Sequence, residues 1–209
     1  MADLVRGRYN VTNPVWSYLG QPTNATQSDI PSRTNATVLG LASLADTAAA
    51  LTTAVCTAVP VPVEYGDVIS KITVIVGATA ASVPVNAFAA LYTGVATTPV
   101  LIGQSTDITS SAIAASAAFT FTLTTAQLIT PTNAPFGYIY VSIMSKATTV
   151  PSLATVSVAA AVGYKWLLTG AVAPLGMGAI THGSALTATA PATIVSSTAQ
   201  AATPIVFLS

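Results

Sequence analysis

In AVCTAVPVPVEYGDVISKITVIVG, residues 54–77, the side chains alternate with a period of two. Val55, Thr57, Val59 and Val61 fall on one face of an extended chain, and Ala54, Cys56 and Ala58 on the other. A turn follows at Glu64-Tyr65-Gly66-Asp67. Beyond it Ile69, Lys71, Thr73 and Ile75 oppose Val68, Ser70, Ile72, Val74 and Val76. Period two is the geometry of a strand, and β-branched Val, Ile and Thr suit its pleat. Pro60 and Pro62 cannot donate to a ladder, so the first strand reads as an edge or terminal one.

The same pattern continues outward through VPVNAFAALYTG (83–94), PVLIGQSTDI (99–108), AFTFTLTT (118–125) and GYIYVSIMSKA (137–147). Phe119 and Phe121 oppose Thr120 and Thr122. Tyr138, Tyr140, Ser142 and Met144 oppose Ile139, Val141 and Ile143. VSVAAAVGYKWLL (156–168) and the closing TPIVFLS (203–209) read as strands too. Breaks rich in Gly and Pro at short intervals predict an all-β chain: an antiparallel β-sandwich of jelly-roll type over residues 51–209.

The N-terminal 37 residues differ from the rest. They hold Asp3, Arg6, Arg8, Asp29 and Arg33, with Tyr9, Trp16 and Tyr18, and Pro14, Pro22 and Pro31 break up any helix. A disordered tail is one reading. Aromatic and Arg anchors favour another, an extended docking arm that orders on a partner through Arg6, Arg8, Tyr9, Trp16 and Tyr18. Residues 38–50, VLGLASLADTAAA, make a connector able to form a short helix. Leu41, Leu44, Ala48, Leu51 and Val55 even follow a coiled-coil spacing, but the seam is short and runs into Thr52, Thr53 and Thr57.

Charge is scarce: six basic and six acidic side chains in 209 residues, for a formal net charge of zero. No basic field exists to attract nucleic acid or an anionic membrane, and a near-neutral, charge-poor surface favours association. The single Cys56 forms no internal disulfide. The opening residues carry no signal-peptide pattern, and the apolar runs at 38–63 and 153–163 are too interrupted to span a bilayer. Synthesis and assembly in the cytoplasm is the expectation.

Groups that could do chemistry are few. His182 sits in the glycine-rich run GMGAITHGS, which reads as a loop, and with Cys56 it cannot complete a zinc site. Cys56 reads as a small buried hydrophobe. Glu64 and Asp67 have the spacing of a turn; as a glycosidase pair, or joined by Asp107 around Ca²⁺, they would need a setting this turn does not suggest. Asn10-Val-Thr, Asn24-Ala-Thr and Asn35-Ala-Thr are chance sequons in a Thr-rich chain. Gly176-Met-Gly178 opens no dinucleotide-binding helix. No catalytic residue and no cofactor are expected.

Four elements together carry a resemblance: Val59-Pro60, Ile72 to Gly77, Ala90 to Gly94 in ALYTG, and Gly137 to Ser142 in GYIYVS. Over roughly residues 52–155 the chain resembles a β-sandwich module of virion proteins in tailed phages of actinobacteria, of the minor tail protein or capsid decoration type. The resemblance implies a surface-displayed structural protein whose partners are other virion proteins and copies of itself, with a trimer the expected oligomer. A second function class also fits: a carbohydrate-binding module recognising host glycan through aromatics, with Tyr164 and Trp166 as contacts beside Tyr138 and Tyr140.

Overall fold

The computed structural model describes residues 33–34, 49–95, 97–157, 178–200 and 202–209. Every regular element among them is a strand, as the period-two reading predicts. One sheet has six strands, in spatial order β12 (Thr198–Ala199), β11 (Ile180–His182), β3 (Cys56–Pro62), β8 (Tyr138–Lys146), β5 (Asn86–Tyr92) and β6 (Leu101–Gln104). The other has four: β1 (Arg33–Thr34), β14 (Val206–Leu208), β4 (Val68–Ile75) and β7 (Ala118–Leu128). Two short pairs complete the set, β2 (Ala49–Ala50) with β9 (Ser152–Leu153) and β10 (Thr155–Ser157) with β13 (Ala202–Pro204). Neighbouring strands pair antiparallel, and the fold is a β-sandwich.

The core forms where the two inner faces meet. Val59 and Val61 of β3, Leu91 of β5 and Ile139, Val141 and Ile143 of β8 pack toward Ile72 and Val74 of β4, Phe121 of β7 and Val206 and Leu208 of β14. Each such side chain contributes roughly 1.5–3 kcal/mol by leaving water. At one edge the sheets are joined: Leu123 of β7 bridges to Ser105, and the Thr124 hydroxyl donates to the Gln104 carbonyl at 2.9 Å.

Two details depart from strict alternation. In β4 the pattern puts Ile69 on the face of Lys71, yet Ile69 is fully buried with Ile72 and Val74. The ladder slips between the pairs Ile69↔Gln127 and Lys71↔Thr122, so Ser70 alone stands opposite residues 123–126 of β7. That irregularity turns Ile69 into the core and leaves Val68 exposed.

The second departure corrects the reading of β3 as an edge strand. β3 lies inside its sheet, between β11 and β8. β11 reaches only Cys56, Thr57 and Ala58, however, while β8 pairs with β3 all the way to Pro62. The Val63 N–H donates to the Gly137 carbonyl on the β8 side at 2.9 Å. Successive N–H groups alternate in direction, so the missing donors of Pro60 and Pro62 lie on the other side, beyond the end of β11. Among the described residues no ladder there needs them.

Arg33 and Thr34, within the expected arm, pair with Leu208 and Phe207, and Ala49–Ala50, within the expected connector, form β2. The rest of the arm and connector lies outside the described residues.

Candidate functional site

The outer face of the six-stranded sheet is not open to solvent. β8 is buried on both faces, because Tyr140 and Met144 join Cys56 and Ala58 of β3, Phe88 and Tyr92 of β5 and Ile180 of β11 in a second core. Its cover is the connection between β11 and β12. Thr181 and Thr198 pair at the base of this connection, so residues 183–197 make a loop with closed ends, an Ω-loop in shape. Leu186, Ala190 and Ile194 pack inward from it. The Tyr92 hydroxyl donates to the Pro191 carbonyl at 2.9 Å, and the Gln104 side chain bonds Ala188 and Ala190 at 2.7 Å each.

Beneath this loop lie the chain's single histidine and single cysteine. The sequence reading of His182 as a loop residue is corrected here: it is the last residue of β11, 2% exposed, and the ladder partner of Cys56. His182 Nε2 and the Ser142 hydroxyl are 2.7 Å apart, and the Tyr92 ring meets the imidazole edge to face at 5.4 Å.

Proton positions follow from satisfying donors. The Ser142 hydroxyl can donate or accept, so the tautomer is set by what Nδ1 meets. Nε2–H of His182 then donates to Ser142, and Nδ1 is the unprotonated nitrogen. Nδ1 is buried with no hydrogen-bond partner among the described residues. An unpaired acceptor there costs less than the unpaired N–H of the other tautomer.

Burial keeps the cluster uncharged. It pushes the Cys56 thiol up to about 12, against a small lowering by Ser142. Burial also raises the Tyr92 hydroxyl, with Cys56 adding to the effect, and lowers His182 from 6.5 to about 4. A thiol and an imidazole so tuned hold no thiolate–imidazolium pair at neutral pH. The arrangement packs and hydrogen-bonds, and its sulfur is buried as expected for a small hydrophobe.

The same tuning sets a pH dependence. Folded His182 binds its proton at about 4 and the unfolded chain at 6.5, so acid favours the unfolded chain. Stability from the neutral imidazole is complete above about pH 6.5 and drains away as pH falls toward about 4, costing about 2 kcal/mol at pH 5. Urea unfolding at pH 8 and pH 5 checks this, with His182→Gln expected to remove that part of the difference. An equal acid loss in both proteins would refute the assignment.

The remaining candidates are structural. Glu64 and Asp67 close the β3–β4 turn, where the Glu64 N–H donates to Asp67 Oδ2 at 2.9 Å and the Asp67 N–H to the Glu64 carbonyl at 3.2 Å. Asp107 accepts from the Asn86 amide at 2.6 Å and the Ala87 N–H at 2.9 Å, fastening the start of β5. Among the described residues no group of three or more His, Cys, Asp or Glu side chains could hold a metal ion.

Arg6, Arg8, Tyr9, Trp16 and Tyr18, like Tyr164 and Trp166, lie outside the described residues. Tyr140 is buried, and Tyr138, half-buried, stacks at 6.4 Å on Phe136, which is 65% exposed. Sequence reasoning missed Ser142 as the partner of His182. The signal was present: a serine hydroxyl between Val141 and Ile143, at the apolar centre of YIYVSIM, needs a bonding partner. No protein-family model and no curated protein matches the chain, which leaves its own residues as the basis for a function.

Proposed function

We propose that the chain is a structural component of a tailed-phage virion, a surface-displayed β-sandwich that works by contact and not by turnover. It is docked to the particle through its N-terminal arm and assembled from several copies of itself. Its partners in this reading are other virion proteins, in the manner of a minor tail protein or a capsid decoration or head-fibre protein.

The distribution of exposed apolar side chains carries the reading. Among the described residues eight large hydrophobic side chains are exposed, and six of them, Tyr65, Val68, Val100, Leu128, Phe136 and Val195, belong to one end of the sandwich. Tyr65 and Val68 flank the close of the β3–β4 turn, and Leu128 is the ladder partner of Val68. Phe136 precedes β8, Val100 precedes β6, and Val195 follows Ile194, whose N–H donates to the Pro99 carbonyl. Clustered exposed apolar groups mark contact surfaces. The zero net charge offers no repulsion between copies. The resemblance to virion modules over residues 52–155 is the second support.

Light scattering on the purified chain tests the assembly. A mass of three chains is expected, falling to one when Leu128→Lys and Phe136→Lys are combined. A single-chain mass for the unaltered protein would overturn self-assembly. Removing residues 1–32, which spares β1, is expected to leave a folded sandwich absent from particles; retained incorporation would sink the docking arm. The exposed Phe136 ring keeps the glycan reading specific. Binding on a glycan array that vanishes in Phe136→Ala would assign this end to host recognition.

A further inference from the structure

We propose that residues 183–197 are an acid-released flap: protonation of His182 opens the loop at its two ends and bares the outer core of the six-stranded sheet.

Three independent features meet here. The first is the pair of hinges. Gly183 has φ +71°, Ala185 φ 52° and Ser196 φ 53°, so left-handed residues stand at both ends of the loop. Alanine and serine occupy that region only against a steric cost, and such strain collects where segments switch. The second is weak anchoring. Of residues 183–197 only Ala190 and Ile194 are buried; Leu186 packs beside them, and the rest of the hold is hydrogen bonds from the N–H groups of Leu186, Ala190 and Ile194 and to the carbonyls of Ala188, Pro191 and Ala192. Segments with few buried contacts open at low free energy.

The third is the group at the hinge. His182 immediately precedes Gly183, is sealed in by the closed loop, and among the described residues finds no partner for Nδ1. What faces it is neutral: Cys56 from β3, Tyr92 from β5, and Ser142 and Tyr140 from β8. The loop itself, GSALTATAPATIVSS, contains no charged side chain. A proton on Nδ1 therefore finds no anion and no acceptor while the flap is shut, and water once it is open. Desolvation alone lowers the proton affinity of the closed form, from 6.5 to about 4. A shift of that size multiplies the open-to-closed ratio about 30-fold at pH 5 relative to pH 8.

Cys56, the single cysteine, is fully buried beneath the flap and reports its opening. The full chain is labelled with 4,4′-dithiodipyridine, which reacts below neutrality, at pH 8 and pH 5. Each rate is divided by that of the urea-unfolded chain at the same pH. Protection is expected to fall about 30-fold at pH 5 and to be insensitive to low urea, as a local opening must be. Unchanged protection, or protection that tracks global unfolding in urea, would overturn the flap.

His182→Gln is expected to abolish the pH dependence; a dependence that persists rejects His182 as the trigger. Hydrogen exchange on the unaltered chain decides independently of any variant. The N–H groups of Leu186, Ala190 and Ile194, bonded to Ala54, Gln104 and Pro99, should share at pH 5 one opening that low urea leaves unchanged, while Val141 in β8 stays better protected and sensitive to urea. One urea-sensitive opening common to all four refutes a hinged flap.

Discussion

Gly94→Ala is expected to prevent folding, or to leave a chain at least about 4 kcal/mol less stable. A Cβ at this position would lie 1.7 Å from the Tyr138 carbonyl oxygen and 2.7 Å from its carbon. Both obstacles are backbone, so no rotamer change relieves them. The two segments are also pinned together: the Gly94 N–H donates to the Asn133 carbonyl at 2.8 Å, and Tyr92 pairs with Tyr140 just below. Accommodating one methyl group means prising the end of β5 from β8 through the middle of the six-stranded sheet. Urea unfolding of the variant measures the effect. A loss under about 1 kcal/mol would show that the close approach is not required.

Phe121→Ala is expected to cost about 3–5 kcal/mol, the range for removing a large ring from a packed core. Phe121 is 2% exposed, stands opposite Ile72 in the ladder, and meets Phe119 edge to face at 5.0 Å. It reaches from β7 into the layer shared with β8, where Ile143 lies in the same cluster. The neighbouring Thr122 faces outward, and Thr122→Ala should change stability by less than about 0.5 kcal/mol. Equal losses at the two positions would mean that β7 does not present alternate faces to core and solvent.

That pair of residues shows what was legible. Phe-Thr-Phe-Thr announces a strand with one wet face, and β7 obeys it. The β4 sequence announces a strand equally well, but not the slip at Ser70, which depends on what residues 123–126 of β7 do across the sheet. The prolines of β3 report a missing donor truthfully. They cannot say that the gap is half a strand long, because the length of β11 is fixed by residues far along the chain.

His182 was misplaced for a related reason. Its flanking glycines argue for a loop, while its burial comes from the Ω-loop folding back over it and from Ser142 waiting on β8. Local propensity carries no information on either. The close approach at Gly94 is similar: ALYTG is visible in the sequence, its contact with the Tyr138 carbonyl is not.

The half-paired β3 bears on how molecules of this kind can be crowded together. An unpaired length of strand is a template for a stranger's strand, and stacks of identical strands are how fibrils begin. Proteins often guard such a place with lysine, which a chain with six basic residues can rarely spare. Here Pro60 and Pro62 withhold the two donors that an incoming backbone would need. In the many-copy role proposed above, contacts between copies are thereby kept from running on through the backbone.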